Sequence, residues 1–294
     1  MPTIFTHVNP DLDAICSVWA ARTFIEDLRN ARVEFKPANW NGLEMNSEDC
    51  ALDMEAGGRG FKGEKNEDGC VHSCFAWVIN NYASPEDREA LKYVVRFVDI
   101  GDSHGSVIDF LAPELDDDAQ MVFNATGLNA VLRALQSTHQ VMFNPENNHI
   151  VLERMSEILF GMLKSGRARP RAAAEAERAE LFGDGQVALT TNSREFGTNN
   201  VLFSQKHVRV VVYIDGYSLG ITRDQRENVC LGDPRILALI EASGEDWFKH
   251  SAGWLICRGS RKAPATSPSK VDPRRLVEIL VKICQENPRK NPIE

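Results

Sequence analysis

Hydrophobic positions near the start of the chain fall into two registers. Thr3 to Val8 is a short apolar run closed by Asn9-Pro10, the pattern of a buried strand that ends in a turn. From Ala14 to Leu28 the residues Ile15, Val18, Trp19, Phe24, Ile25 and Leu28 recur at helical spacing. Val33 to Phe35 and Asp49 to Met54 read as a second and a third strand, and the Gly- and charge-rich segment Gly57 to Gly69 as a loop. Val71 to Tyr82 predicts a helix that packs Phe75, Val78 and Ile79. Ser84-Pro85-Glu86-Asp87 predicts the start of another: a capping hydroxyl, a proline suited to the first turn, and acids at the positive end of the helix dipole. The apolar run Tyr93 to Val98 reads as a further strand. Alternation of strands and helices argues for an α/β domain with a largely parallel sheet flanked by helices.

Further along, Asn124 to Gln136 and Ile150 to Lys164 predict helices, and Arg167 to Arg178 an exposed helical connector with little apolar stripe. From Gly185 the texture changes. Val201 to Phe203, Val208 to Ile214 and Trp254 to Cys257 are β-rich. Ile236 to Ala242 and Leu276 to Cys284 are helical, and Asp215-Gly216-Tyr217 is a hairpin turn. The polar tail from Glu286 reads as frayed. The expected organisation is an N-terminal domain over 1–165, a connector over 166–185, and a smaller α/β C-terminal domain over 186–294.

Composition narrows the classes. With 294 residues the chain is long for one core and suits two domains. Hydrophobic content of 43% and charged content of 26% exclude disordered and collagen-like chains. No apolar run approaches the roughly 20 residues that span a bilayer. No export signal precedes the first strand, so the expected location is cytoplasmic, with no membrane partner. Seven scattered cysteines fit reduced thiols. The net charge of −9 argues against a general duplex-DNA coater, but leaves carboxylates to spare for hard cations.

Candidate chemistry gathers after the first strand. Thr6-His7-Val8-Asn9-Pro10-Asp11-Leu12-Asp13 places one His and two Asp within seven residues at a strand's carboxyl end, where open α/β sheets hold ligands. A mixed His/Asp set suits Mn²⁺, or Mg²⁺ with retained waters. The same residues also suit an Asx turn that caps the next helix, with Asp13 just before Ala14. Asp53 follows the apolar Ala51-Leu52. Asp99, Asp102 and His104 follow the apolar run ending at Val98. His72 lies just inside a helix start, beside Cys70 and Cys74. Three acidic clusters at three strand ends could serve two cations about 4 Å apart that bridge and polarise a phosphate.

The segment His7-Val8-Asn9-Pro10-Asp11-Leu12-Asp13-Ala14-Ile15-Cys16-Ser17 resembles the first motif of the DHH phosphoesterase superfamily. That group includes RecJ-type exonucleases, nanoRNA and cyclic-dinucleotide hydrolases, and exopolyphosphatases. Asp53 resembles the Asp of the second motif, and Asp102 or Asp99 that of the fourth. The resemblance implies two Mn²⁺ or Mg²⁺ ions, hydrolysis of a phosphoester or phosphoanhydride, and His7, Asp11, Asp13, Asp53 and Asp102 as ligands. The name-giving Asp-His-His triplet is absent. No two histidines are adjacent, and between Asp53 and Asp99 stand Gly57-Gly58-Arg59-Gly60-Phe61-Lys62-Gly63 and His72. His72 is the candidate replacement for one histidine, with Asp11 and Asp13 the other catalytic candidates. Arg59 and Lys62 are candidate phosphate holders in a site of altered metal content. Asp53 to Gly58 also loosely resembles an Asp-x-Gly-Gly segment from a eukaryotic branch of the superfamily.

A second cluster lies near the C-terminus. Trp247-Phe248-Lys249-His250-Ser251-Ala252-Gly253-Trp254 is followed by Arg258, Arg261 and Lys262. His250, Gly253, Arg258 and Lys262 read as an anion pocket, glycine admitting the backbone and Arg offering a bidentate fork. A β-hairpin with an exposed basic turn is the alternative. The segment resembles the signatures of the DHH-associated C-terminal domain, which grips substrate in that family. No Walker loop is present. A Cys70/His72/Cys74 zinc site would lack a fourth ligand.

Two functions follow. One is a metal-dependent phosphoesterase acting in an interdomain cleft on a nucleotide, dinucleotide or short single-stranded nucleic acid, as an exonuclease would. The other is a catalytically inactive binder of nucleotides or RNA ends on the same fold. A homo-oligomer is compatible with either.

Overall fold

The computed structural model describes residues 1–65, 71–191, 197–260 and 262–289. It divides into two units, Met1–Arg167 and Ala168–Glu294. In the first, β1 (Thr3–His7), α1 (Leu12–Phe24), β2 (Arg32–Lys36) and β3 (Cys50–Ala51) form a three-stranded parallel sheet with order β2-β1-β3. β1 is buried on both faces, as a central parallel strand must be. Ile4 enters a core with Ile15, Val18 and Trp19 of α1. Phe5 enters a separate cluster with Met45, Ala51, Met54 and Ala56. The third strand is shorter than the expected Asp49 to Met54, because Asp53 and Ala56 take positive φ and end it.

A small antiparallel pair follows, β4 (Glu64–Lys65) with β5 (Val71–His72). Then come α2 (Cys74–Tyr82), α3 (Pro85–His104), α4 (Val107–Leu111), α5 (Asp117–Thr126), α6 (Leu128–Thr138) and α7 (Asn148–Glu177). α2 starts three residues later than its pattern predicts, because the Ser73 hydroxyl accepts the Ala76 N–H and caps it there. His72 therefore lies on β5, not inside a helix. Ser84 and Pro85 do open a helix, and it runs 20 residues, through Tyr93 to Val98. Asp99 and Asp102 thus sit on a helix, not at a strand end. β-branched Val94, Val95 and Val98 imitate a strand, but Leu91, Val94, Val95 and Val98 all reach the core at helical spacing. The expected connector Arg167 to Arg178 is largely absorbed into α7.

An ion pair ties α3 to α7. The Arg167 guanidinium, through Nε at 2.6 Å, is the main cause holding the Asp87 carboxyl below its usual range; burial opposes it and the Ser84 hydroxyl assists. The folded pKa lies below the unfolded value of about 3.9, so this stability is present above that pH and lost as pH falls through the folded value. Arg167 is 42% exposed, so solvent screening limits the pair to below about 1 kcal/mol. Arg167→Gln is expected to flatten the acid limb of a urea-unfolding pH series by that amount. Superimposable pH profiles for variant and parent would refute it.

The second unit carries β6 (Glu180–Phe182), β7 (Val187–Thr191), α8 (Thr198–Ser204), β8 (Val210–Asp215), β9 (Ser218–Arg223), α9 (Pro234–Ala242), β10 (Phe248–Lys249), β11 (Leu255–Arg258) and α10 (Pro273–Glu286). Its six-stranded sheet has the order β10-β11-β9-β8-β7-β6, antiparallel except for β7 with β8. Ile236 and Ile240 of α9 and Leu276, Leu280 and Ile283 of α10 build one core with Val210, Val212 and Ile221 of the sheet. Leu202 builds another with Val208 and Val211. Val201 to Phe203, expected as strand, is therefore the helix α8, whose short apolar run packs on a sheet. The fold class is mixed α/β. Among the described residues no helix is long and apolar enough to cross a membrane.

Candidate metal centre

Parallel pairing of β1 with β3 brings their carboxyl ends to one edge. His7 closes β1, and Asp53 follows β3. The fold so joins residues 46 apart: His7 Nε2 lies 3.2 Å from Asp53 Oδ2. Asp53 holds φ 54°, in the left-handed region, and its N–H donates to the Phe61 carbonyl at 2.7 Å. Asn9, with φ 52°, turns the chain after β1. Asp11 then caps α1, one carboxylate oxygen accepting the Ala14 N–H at 3.0 Å; that oxygen also lies 3.9 Å from His7 Nε2. The Asx cap and the ligand reading, alternatives in the sequence, converge on this one side chain, with Asp11 rather than Asp13 as the cap.

Donor atoms of His7, Asp11 and Asp53 all lie within 4.8 Å of one another. His7 Nδ1 faces the Val8 carbonyl at 3.1 Å. A carbonyl only accepts, so Nδ1 carries a hydrogen, and Nε2, which without a cation donates to Asp53, is the nitrogen left to ligate an ion between the two carboxylates. This is the tautomer a metal-ligating imidazole uses. Without a cation the Asp53 carboxylate raises the His7 pKa against the opposing effect of burial.

Asp13 behaves differently. It is 2% exposed, and its two oxygens accept the Cys74 and Phe75 N–H groups at 2.9 Å each. These are the first two N–H groups of α2, so the carboxylate sits on that helix's positive end. Burial, and then the Asp53 charge, nevertheless push its pKa up to about 8. Asp102 is likewise pushed up to about 6, by burial first and then by Asp53, Asp11 and Asp99. Burial raises Asp53 too, with His7 opposing. Carboxyls crowded this closely hold protons that a divalent cation would displace. An imidazole and several carboxylates are the donor set that Mn²⁺ or Mg²⁺ takes. The residues fit such an ion.

Asp99 is engaged by its neighbours: Oδ2 lies 3.1 Å from His72 Nδ1, and Oδ1 accepts the Ser73 N–H at 2.7 Å. Arg59 is also committed, donating to the carbonyls of Gly42 and Met45, so it braces the loop after β2. Lys62 is exposed, and its charge favours the ionised form of Asp102. Cys70 and Arg261 lie outside the described residues. Sequence reasoning missed the anchor that α2 offers Asp13. Its signal was Ser73, a capping residue directly before an apolar helical run.

In the second unit, His250 Nδ1 accepts the Ala252 N–H at 3.1 Å, and Gly253, at φ 68°, closes the turn. Arg258 does not offer its fork freely. Nε pairs with Glu245 at 2.9 Å, and the Nη atoms bond the Ser267 carbonyl and hydroxyl. A cavity of about 1050 Å³ lies beside this turn, lined by Trp247, Phe248, His250, Trp254, Arg258 and Lys262 among others.

No family model matches the chain, and no curated protein does. Solved structures do. An exonuclease RecJ bound to manganese is 10% identical, with 96% of this chain and 90% of that one covered, at a TM-score of 0.32. An exopolyphosphatase-related protein from Bacteroides fragilis is 12% identical, covering 97% and 92%, at 0.28. An uncharacterised protein from Helicobacter pylori is 10% identical, covering 97% and 100%, at 0.24.

Proposed function

We propose that the chain is a divalent-metal-dependent phosphoesterase that hydrolyses a phosphodiester or phosphoanhydride of a nucleotide or short nucleic acid. The observation that carries this reading is the convergence of His7, Asp11 and Asp53 at one edge of a parallel sheet. In this reading His7 Nε2 and carboxylate oxygens of Asp11 and Asp53 hold the ion. A bound divalent ion supplies Lewis acidity and a water of lowered pKa. Asp13, two residues after the ligand Asp11, acts through position: its two oxygens fasten the N-terminus of α2. Asp102, raised by burial and by the charges of Asp53 and Asp11, is the group whose proton affinity suits uptake and release near neutral pH. The His72–Asp99 pair anchors α3 beside it.

Within the second unit, the cavity beside Trp247 and Trp254 offers flat apolar rings of the kind that stack on bases, a chemistry that suits a nucleotide ligand better than inorganic polyphosphate. The test is release of p-nitrophenol from bis(p-nitrophenyl) phosphate by the full chain. Turnover is expected with Mn²⁺ or Mg²⁺, loss on chelation, and recovery on returning the metal. Absence of turnover on this ester and on a dinucleotide, with every divalent ion tried, overturns the enzyme and favours an inactive nucleotide binder.

A further inference from the structure

We infer that the outer edge of β2 is a docking strand for a partner protein, which adds an extended segment bearing lysine or arginine to the sheet of the first unit.

β2 is the outermost strand in the order β2-β1-β3. It bonds β1 through alternate residues: the Arg32 N–H donates to the Pro2 carbonyl at 3.0 Å, and the Lys36 carbonyl accepts the Val8 N–H at 2.9 Å. Successive residues of a strand turn their backbone groups to opposite edges. Arg32, Glu34 and Lys36 therefore face β1, and Val33 and Phe35 face outward. Among the described residues no second strand pairs with β2, and no other group takes the N–H or C=O of Val33 or Phe35. Such an edge is a template for another strand.

The edge opens onto a cavity. It measures about 530 Å³ and is lined by residues 31–35 together with Arg22, Glu146, His149, Leu152 and Glu153. Pockets of about 300–1,000 Å³ are the size that holds ligands. Phe35 and Leu152 give it apolar surface, and the His149 ring meets that of Phe35 edge-on at 5.0 Å. One alternate side chain of an incoming strand has an apolar seat there, while its backbone bonds Val33 and Phe35. Main-chain bonds supply affinity in this mode of recognition, and alternate side chains supply specificity.

Charge selects the occupant. Glu34 is already paired with Arg32 at 3.3 Å and Lys36 at 3.2 Å. Glu146, Glu153 and Arg22 are exposed and form no ion pair among the described residues. The unpaired charge around the cavity is thus two carboxylates against one guanidinium. A basic segment answers it. A second copy of this chain would bring a net charge of −9 and the same two carboxylates, and is the poorer occupant.

The probe is a short fluorescein-labelled peptide of alternating lysine and valine, titrated into the full chain and read by fluorescence polarisation. Saturable binding is expected, and none for the matching glutamate and valine peptide. Charge alone also draws a basic peptide to an acidic chain, so two further probes carry N-methyl groups on alternate residues, in one frame or the other. Their charges are equal. The frame that faces β2 is expected to abolish binding, and the other to keep it. Hydrogen exchange at the Val33 and Phe35 amides should slow about tenfold or more in the complex. Glu146→Lys and Glu153→Lys, both on the surface, should each weaken binding about fivefold. Absence of saturable binding, equal binding of the two methylated peptides, or unchanged exchange at Val33 and Phe35 overturns the inference. Dimers of the parent protein that protect these same amides also overturn it, and give the edge to a second copy. None of these measurements reads turnover, so the phosphoesterase stands or falls separately.

Discussion

Asp53→Asn is expected to abolish the stabilisation of the protein by Mn²⁺ and to lower turnover by at least about 100-fold, since even groups supporting metal ligands cost up to that much. The parent protein, at a free metal concentration 100 times its Kd, should gain about 2.7 kcal/mol in unfolding free energy. The variant should gain none. Asparagine is the apt replacement because position 53 holds φ 54°, and asparagine tolerates the left-handed region where alanine is strained. Its backbone N–H can still donate to the Phe61 carbonyl. Without metal the variant should be at least as stable as the parent, because burial already penalises the charged form of Asp53. Loss of folding therefore does not imitate loss of the site. Thermal unfolding with and without Mn²⁺ reads both quantities. Retention of the metal-dependent shift in Asp53→Asn would remove Asp53 from the ligand set and the proposed centre with it.

Phe75→Ala should cost about 3–5 kcal/mol, the usual range for a large buried aromatic ring cut back to a methyl group. The ring is fully buried in the core that unites β1, α1, α2 and α3, and lies 6.4 Å from the Trp19 ring. What makes the site sensitive to it is the backbone. The Phe75 N–H donates to Asp13, so the packing that seats α2 also aims that helix at the carboxylate. The substitution spares the hydrogen bond and removes the packing. Urea unfolding should show a lower midpoint with an unchanged m-value. A loss below about 1 kcal/mol would mean that α2 is not seated by this ring.

Much of the fold was legible because local rules and tertiary packing agree in it. β1 and the hairpin at Asp215-Gly216 stand where their patterns place them, and α1 does so up to Phe24, where extended Ile25 ends the helix and a separate 3-10 turn, Glu26–Leu28, carries Leu28 to the core. Disagreement marks places where one physical signal imitates another. A run of valines within α3 looks like a strand until Ser84, twenty residues upstream of His104, is given its full weight as a cap. Val201 to Phe203 is apolar enough for a strand, but three residues carry no period that separates strand from helix. The late start of α2 depends on which serine hydroxyl caps it.

The candidate centre divides along the same line. The amino-acid sequence alone determined the chemistry on offer: an imidazole and carboxylates beside a strand end, in an acidic chain, with no adjacent histidine pair. Types and spacing are written in the covalent chain, and they limit which ions can bind. Only the tertiary structure decided how each group is used. Parallel pairing of β1 with β3 set Asp53 against His7. The first turn of α2 engaged both oxygens of Asp13. Main-chain carbonyls claimed Arg59, and Glu245 with Ser267 claimed Arg258. Hydrogen bonds act over about 3 Å. Partners 46 or 61 residues apart in sequence come within that distance only when the folded backbone puts them there.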